Sequence, residues 1–184
     1  MVAPPLYDLS APAPRKVLPM YRRLALAAAL ALSMAACHPK AQTKPPADTS
    51  ANAAFLAKNA KEPGVTTLPD GLQYKIVTAG PADGVKPRAQ DEVKVNYEGA
   101  LLSGEVFDSS FKRGEPATFP LDEVIPGWTE VMQLMRPGDE WIVWIPPQLG
   151  YGEEAKGPIP ANSVLRFRVQ LLGVLKHDAP PAQG

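Results

Sequence analysis

The sequence predicts an α+β domain in which a curved antiparallel sheet of five or six strands wraps one short helix. Two observations carry this. Three segments alternate apolar with polar residues at period two: Leu72, Tyr74, Ile76; Val93, Val95, Tyr97; and Leu165, Phe167, Val169, Leu171. One segment, 122–135, instead sets Trp128, Val131, Met132 and Met135 at i, i+3, i+4 and i+7, a stripe of helical period. A helix this short does not persist alone in water, so the strands must cover it.

From the amino end, Met20-Tyr-Arg-Arg precedes a Leu/Ala run over 24–32, and Ser33-Met34-Ala35-Ala36 leads into Cys37. A basic start, a short apolar core and small residues are the parts of a secretory signal. The run is too short to span a bilayer. Met20 is the expected true start. Because Cys37 is the single cysteine, no intrachain disulfide can form. The small residues before it resemble a bacterial lipoprotein box, with Met34 where leucine is usual. That resemblance implies that Cys37 is acylated and becomes the mature N-terminus; plain secretion with a free Cys37 is the alternative.

Residues 38–64 read as a flexible Lys/Pro/Ala/Thr-rich tether with a short helix near 51–61, where Phe55 and Leu56 make a small apolar spot. The folded domain is expected over 65–176, and the Pro/Ala-rich 177–184 as a disordered tail. Within the domain, Leu72–Ile76 and Val93–Tyr97 are strands separated by a Pro/Gly loop. Ser103-Gly104 is a turn and Glu105–Asp108 a short strand. Lys112–Glu115 is a charged loop, and Ala117–Leu121 a strand leading to the helix. Pro126 suits the first helical turn, and Pro137-Gly138 ends it. Glu140–Ile145 is a strand apolar on both faces, and Leu165–Leu171 is the last strand. Val124 and Ile125 are apolar residues in a turn, outside the helical stripe, and are expected to line a site or fill the core.

Nineteen basic and nineteen acidic residues balance, so no basic excess points to nucleic acid. Both histidines, His38 and His177, lie outside the domain, which leaves no Ser/His pair and no Cys/His cluster for a transition metal. No glycine-rich phosphate loop follows a strand. What remains is an aromatic set at strand ends. Tyr97 ends one strand, Phe107-Asp108-Ser109-Ser110 follows another, and Tyr151 stands between glycines in Leu149-Gly150-Tyr151-Gly152. Taken singly, Phe107 reads as core, Asp108 as a turn-former on the Ser110 N–H, and Tyr151 as a loop anchor.

Taken in order, 93–99, Phe107-Asp108-Ser109-Ser110, Val124-Ile125-Pro126-Gly127-Trp128, Leu149-Gly150-Tyr151-Gly152 and Ile159–Phe167 closely resemble the FKBP-type peptidyl-prolyl isomerases. Phe55–Lys61 and Gly71-Leu72-Gln73-Tyr74 resemble the bacterial branch that includes the macrophage infectivity potentiators. The resemblance covers about 55–176. It implies a pocket with Trp128 as floor, Tyr97, Phe107, Val124, Ile125 and Phe167 as walls, and Asp108 and Tyr151 as polar groups. It implies proline-containing polypeptides as substrates, macrolide inhibitors as ligands, and no cofactor. Ala117 stands where eukaryotic members carry a wall phenylalanine, so a more open pocket is expected there. The charged loop 152–158 also departs from them. Only 51–61 remains of the long dimerising helix, which implies a monomer.

Three functions are consistent with these residues. The chain is an isomerase that helps proteins fold in the bacterial envelope, a lipid-anchored module that grips proline peptides without turnover, or a surface scaffold. The set Asp108, Tyr151 and the aromatics favours the first, which a scaffold would not need. His38 after Cys37, without the aspartate that retains lipoproteins in the inner membrane, points to an outer-membrane anchor facing the periplasm.

Overall fold

The computed structural model describes residues 44–176. The signal region, Cys37, the amino-terminal part of the expected tether and the tail from His177 lie outside the described residues. A seven-stranded antiparallel sheet carries the fold, formed by β1 (Val65–Thr67), β2 (Gln73–Thr78), β3 (Glu92–Leu101), β4 (Val106–Ser109), β5 (Ala117–Pro120), β6 (Glu140–Ile145) and β7 (Leu165–Leu175). The strand order is β1-β2-β6-β7-β3-β4, with β5 also on β3. One flank of the ten-residue β3 takes β7 along its whole length. The other flank is shared, β4 pairing with 98–100 and β5 with 92–95. The count exceeds the expected five or six because the three-residue β1 is too short to show a period of two.

Three helices accompany the sheet: α1 (Thr49–Asn59), α2 (Ser110–Arg113) and α3 (Pro126–Met132). The central helix is shorter than 122–135. Ile125 is extended and serves as its N-cap, with Pro126 in the first turn. Past Met132, the Leu134 and Met135 amides make single turns back to Val131 and Met132. The predicted stripe is still buried whole: Trp128, Val131, Met132 and Met135 all join the core. Gly127 allows α3 to lie this close to the sheet, since a Cβ there would meet Ile145 Cγ2 at 2.6 Å. The charged stretch 112–115 is not wholly loop. Ser109 caps one helical turn, its Oγ accepting from the Lys112 amide at 3.3 Å.

The described part of the expected tether is docked rather than flexible. The Asp48 carboxylate caps α1 by accepting from the Ser50 and Ala51 amides at 2.9 and 3.2 Å. The buried residues of α1 are its two asparagines, Asn52 and Asn59. Asn59 Nδ2 donates to Gln73 Oε1 at 2.8 Å, and Gln73 Nε2 donates to the Leu56 carbonyl at 2.9 Å. Gln73, read as the polar side of its strand, is therefore buried beneath α1 with both ends of its amide satisfied. Among the described residues no helix is long and apolar enough to cross a membrane.

Candidate active site

The cleft is built around Trp128. As the third residue of α3, it is carried by the buried stripe to the mouth of the curved sheet, where three rings meet it edge to face. Tyr97 of β3 and Phe167 of β7 each lie 5.3 Å from it, at 89° and 82°. Phe119 of β5 lies at 5.6 Å and 84°. Phe107 of β4 adds an edge contact to Phe167 at 5.7 Å. Such pairs contribute about 0.5–1.5 kcal/mol each beyond the area they bury, so the rings hold one another rigidly. Gly99 on β3 makes room for two of them. A Cβ there would lie 2.5 Å from Phe107 Cε2 and 2.7 Å from Phe167 Cε1.

The cleft has a volume of about 470 Å³. All eight residues of the expected pocket line it: Tyr97, Phe107, Asp108, Val124, Ile125, Trp128, Tyr151 and Phe167. Val124 and Ile125 reach it because the turn before α3 is extended at Ile125. The sequence reading missed Phe119, Glu123, Pro158 and Ile159, which also line it. Only the pairing of β5 with β3 places Phe119 there. It lies two residues beyond Ala117 on the same face of β5, and Val93 and Val95 oppose the two positions across the ladder. Ala117 packs against the core, and Phe119 supplies the aromatic wall. Of the charged loop 152–158, only Pro158 faces the cleft.

The polar side of the cleft is a three-residue lock. The Tyr97 hydroxyl donates to Asp108 Oδ2, and Arg113 Nη1 donates to Asp108 Oδ1. Arg113 Nη2 donates to the Tyr97 hydroxyl at 3.1 Å, and the guanidinium carbon stands 5.5 Å from that ring's centre. The helical turn α2 brings Arg113 round to Asp108, and Ser110 Oγ accepts from the Tyr97 amide at 2.8 Å. Asp108 thus bonds to Tyr97 of β3 and Arg113 of α2, besides the backbone of its neighbour Ser109. Burial alone would raise its carboxyl pKa, but the hydrogen bonds from Tyr97 and Arg113 and the guanidinium charge outweigh burial and hold it below the usual carboxylate range. Burial and the bond to Asp108 push the Tyr97 phenol up. Both groups therefore keep fixed protonation states through neutral pH. The Tyr151 hydroxyl has no hydrogen-bond partner among the described residues. None of these residues groups as metal ligands do, and no cluster of three or more His, Cys, Asp or Glu side chains among the described residues could hold a metal ion.

Residues 84–172 match the family model for FKBP-type peptidyl-prolyl cis-trans isomerase, and 18–76 match the model for the domain amino-terminal to it. The chain is 36% identical to a solved peptidyl-prolyl cis-trans isomerase from Pseudomonas syringae pv. tomato, covering 72% of this chain and 100% of that one with a TM-score of 0.66. This chain belongs to the FKBP-type peptidyl-prolyl cis-trans isomerases. Within that family it is 55% identical over 124 residues to the peptidyl-prolyl cis-trans isomerase Mip of Coxiella burnetii, covering 67% of this chain and 53% of the relative. It is 50% identical over 124 residues to the outer membrane protein MIP of Legionella longbeachae, covering 67% and 52%. The solved structure of FkpA from Escherichia coli is 45% identical, with a TM-score of 0.65, over 68% of this chain and 58% of that one. The chain thus spans about half the length of the curated relatives it matches. Arg113 and Phe119 both fall within the matched FKBP segment.

Proposed function

We propose that this chain catalyses cis-trans isomerisation of Xaa-Pro bonds in polypeptides of the bacterial cell envelope. The observation that carries the reading is the Trp128-centred aromatic cleft with Asp108 held by Tyr97 and Arg113 on one wall. Amide rotation is opposed by about 18–20 kcal/mol of resonance, and the uncatalysed Xaa-Pro bond turns over in tens to hundreds of seconds. No bond is made or broken, so no nucleophile is needed. The twisted amide has lost resonance, and its carbonyl is less polar than in the planar form. An aromatic cleft that replaces water therefore favours it over the planar, hydrated ground state.

Trp128, Tyr97, Phe107 and Phe167 grip the proline ring, with Phe119, Val124 and Ile159 closing the walls. The Ile125 amide and the Tyr151 hydroxyl donate to carbonyls on the two sides of the bond. Asp108 acts as a fixed negative charge near the rotating carbonyl. Both its oxygens already accept hydrogen bonds and its pKa is depressed, so it is poorly suited to take a proton. The same cleft offers macrolide inhibitors an apolar floor. A protease-coupled assay on a proline peptide tests the reading. Acceleration above the uncatalysed rate supports isomerisation, and tight peptide binding with no acceleration would leave a proline-binding module instead.

For location, we infer a lipid anchor at Cys37 that holds the domain at the periplasmic face of the outer membrane. The signal-like 20–37 and the name of the Legionella relative support this. Mass spectrometry of the native protein should find an acylated Cys37 at the N-terminus; any other N-terminus refutes it. We infer a monomer, because α1, Thr49–Asn59, is by itself too short for a coiled coil, which needs several heptads. Light scattering should return a single-chain mass.

A further inference from the structure

Three residues of the cleft, Tyr151, Pro158 and Ile159, ride on the loop between β6 and β7. Such a loop has no strand partner to fix it, yet here its two ends are bound to each other and to α1. The Gly152 amide donates to the Pro147 carbonyl at 2.9 Å, and the Asn162 amide donates to the Gly152 carbonyl at 2.7 Å. Asn162 closes this ring in the left-handed region, φ 58°, the one described non-glycine residue to do so. From outside the loop, Asn52 Nδ2 of α1 donates to the Asn162 carbonyl at 2.6 Å, and the Ala47 amide donates to the Ala161 carbonyl at 2.8 Å.

The face that α1 presents to the domain is Asn52, Phe55, Leu56 and Asn59, at i, i+3, i+4 and i+7. A helix docked only for stability would bury its apolar residues there. Here Phe55 and Leu56 are half-exposed, while the asparagines at the two ends are buried. Asn59 bonds the strand residue Gln73, and Asn52 alone of the two bonds the loop. Resting on the isomerase reading above, we propose that Asn52 is a positioning residue. It clamps the loop through Asn162 and so sets where Tyr151 and Ile159 stand in the cleft. The segment before the sheet is then part of the substrate site's framework and tunes peptide affinity from outside the cleft.

The test compares Asn52→Ala and Asn52→Asp with Asn59→Ala in the full chain. Asn52→Asp keeps the volume and removes the donor. Ala47→Pro removes the second clamp without touching Asn52. The loss of one hydrogen bond should raise KM for a proline peptide about threefold to tenfold in the three loop-side variants, with kcat within about twofold. Amide hydrogen exchange at Asn162 and Ile159 should accelerate in the same variants. Asn59→Ala should leave KM and loop exchange unchanged even where it lowers the melting temperature. Equal changes in KM for the Asn52 and Asn59 variants would make α1 a stability element and overturn the proposal, as would an unchanged KM in Asn52→Asp. If the wild-type chain shows no turnover, the isomerase reading fails; the exchange data and a peptide Kd still decide whether the clamp shapes the cleft.

Discussion

Replacing Asp108 by Asn separates a fixed charge from a proton-transfer group. The swap keeps the side chain's volume, and the amide oxygen can still accept from Tyr97. What is lost is the charge and the match to Arg113. The ion pair is weak in itself, because the Arg113 and Asp108 side chains are 44% and 43% exposed, and exposed pairs contribute about 0.2–1 kcal/mol. Turning the partly buried Tyr97 bond from charge-assisted to neutral removes about 1 kcal/mol more. The sum, about 1–2 kcal/mol, is the cost to the lock; were all of it felt in the transition state, kcat/KM would fall by about fivefold to thirtyfold, which sets the upper bound expected here. The pH dependence is equally specific. Because the folded-state pKa of Asp108 is depressed, the carboxylate stays ionised from pH 5 to 8, and wild-type kcat/KM should be flat there. The same depression means that Asp108 stabilises the fold above its unfolded pKa and stops doing so as pH falls through its folded value. The melting deficit of Asp108→Asn at pH 7 should therefore shrink in acid. Exchange spectroscopy on a proline peptide, which needs no coupling protease, measures the rate across this range. A wild-type rate that follows a carboxyl titration, with a loss of about 10²–10⁴-fold in a normally melting Asp108→Asn, would refute the fixed-charge account.

Gly99→Ala should push Phe107 and Phe167 apart, costing about 1–3 kcal/mol of stability by overpacking and lowering peptide affinity; an unshifted melting temperature would show that the rings can yield. Away from the cleft, the bond to Asp70, with burial and the Asp70 charge, pushes the Glu130 carboxyl up to about 7 while Asp70 goes down. A raised folded-state pKa stabilises fully below the unfolded value and is lost as pH climbs through about 7, so the wild type should melt lower at pH 8 than at pH 5. Glu130→Gln should remove that loss, raising stability at pH 8 by about 1 kcal/mol after solvent screening at the exposed Asp70; calorimetry at the two pH values that finds equal gains would refute it. Tyr151→Phe should lower kcat/KM about threefold to tenfold with melting unchanged, the loss of one hydrogen bond; a rate equal to wild type would remove the hydroxyl from the mechanism.

The α+β class and the helix at the centre of the sheet followed from periodicity, because a one-sided core imposes a period of two on strands and about 3.6 on a helix. The pocket residues were legible for a different reason. Trp128, Val124-Ile125, Phe107-Asp108 and Tyr151 each stand in a short motif, and it was the resemblance of the ordered set to the FKBP-type isomerases that implied one pocket. Three features needed the tertiary structure. Arg113 reads as one more charge in a surface loop until α2 turns it onto Asp108 and Tyr97. Phe119 belongs to the cleft only because β5 shares one flank of β3 with β4, a pairing between distant segments that no local pattern encodes. The docking of α1 was hidden because its buried face ends in two asparagines, which look solvent-exposed in a sequence and are buried only where a carbonyl such as that of Asn162 waits to accept. Local order along the chain is set by neighbouring residues and can be read from them. Which polar groups become buried partners is decided by contacts between residues far apart in sequence, and those exist only once the chain has folded.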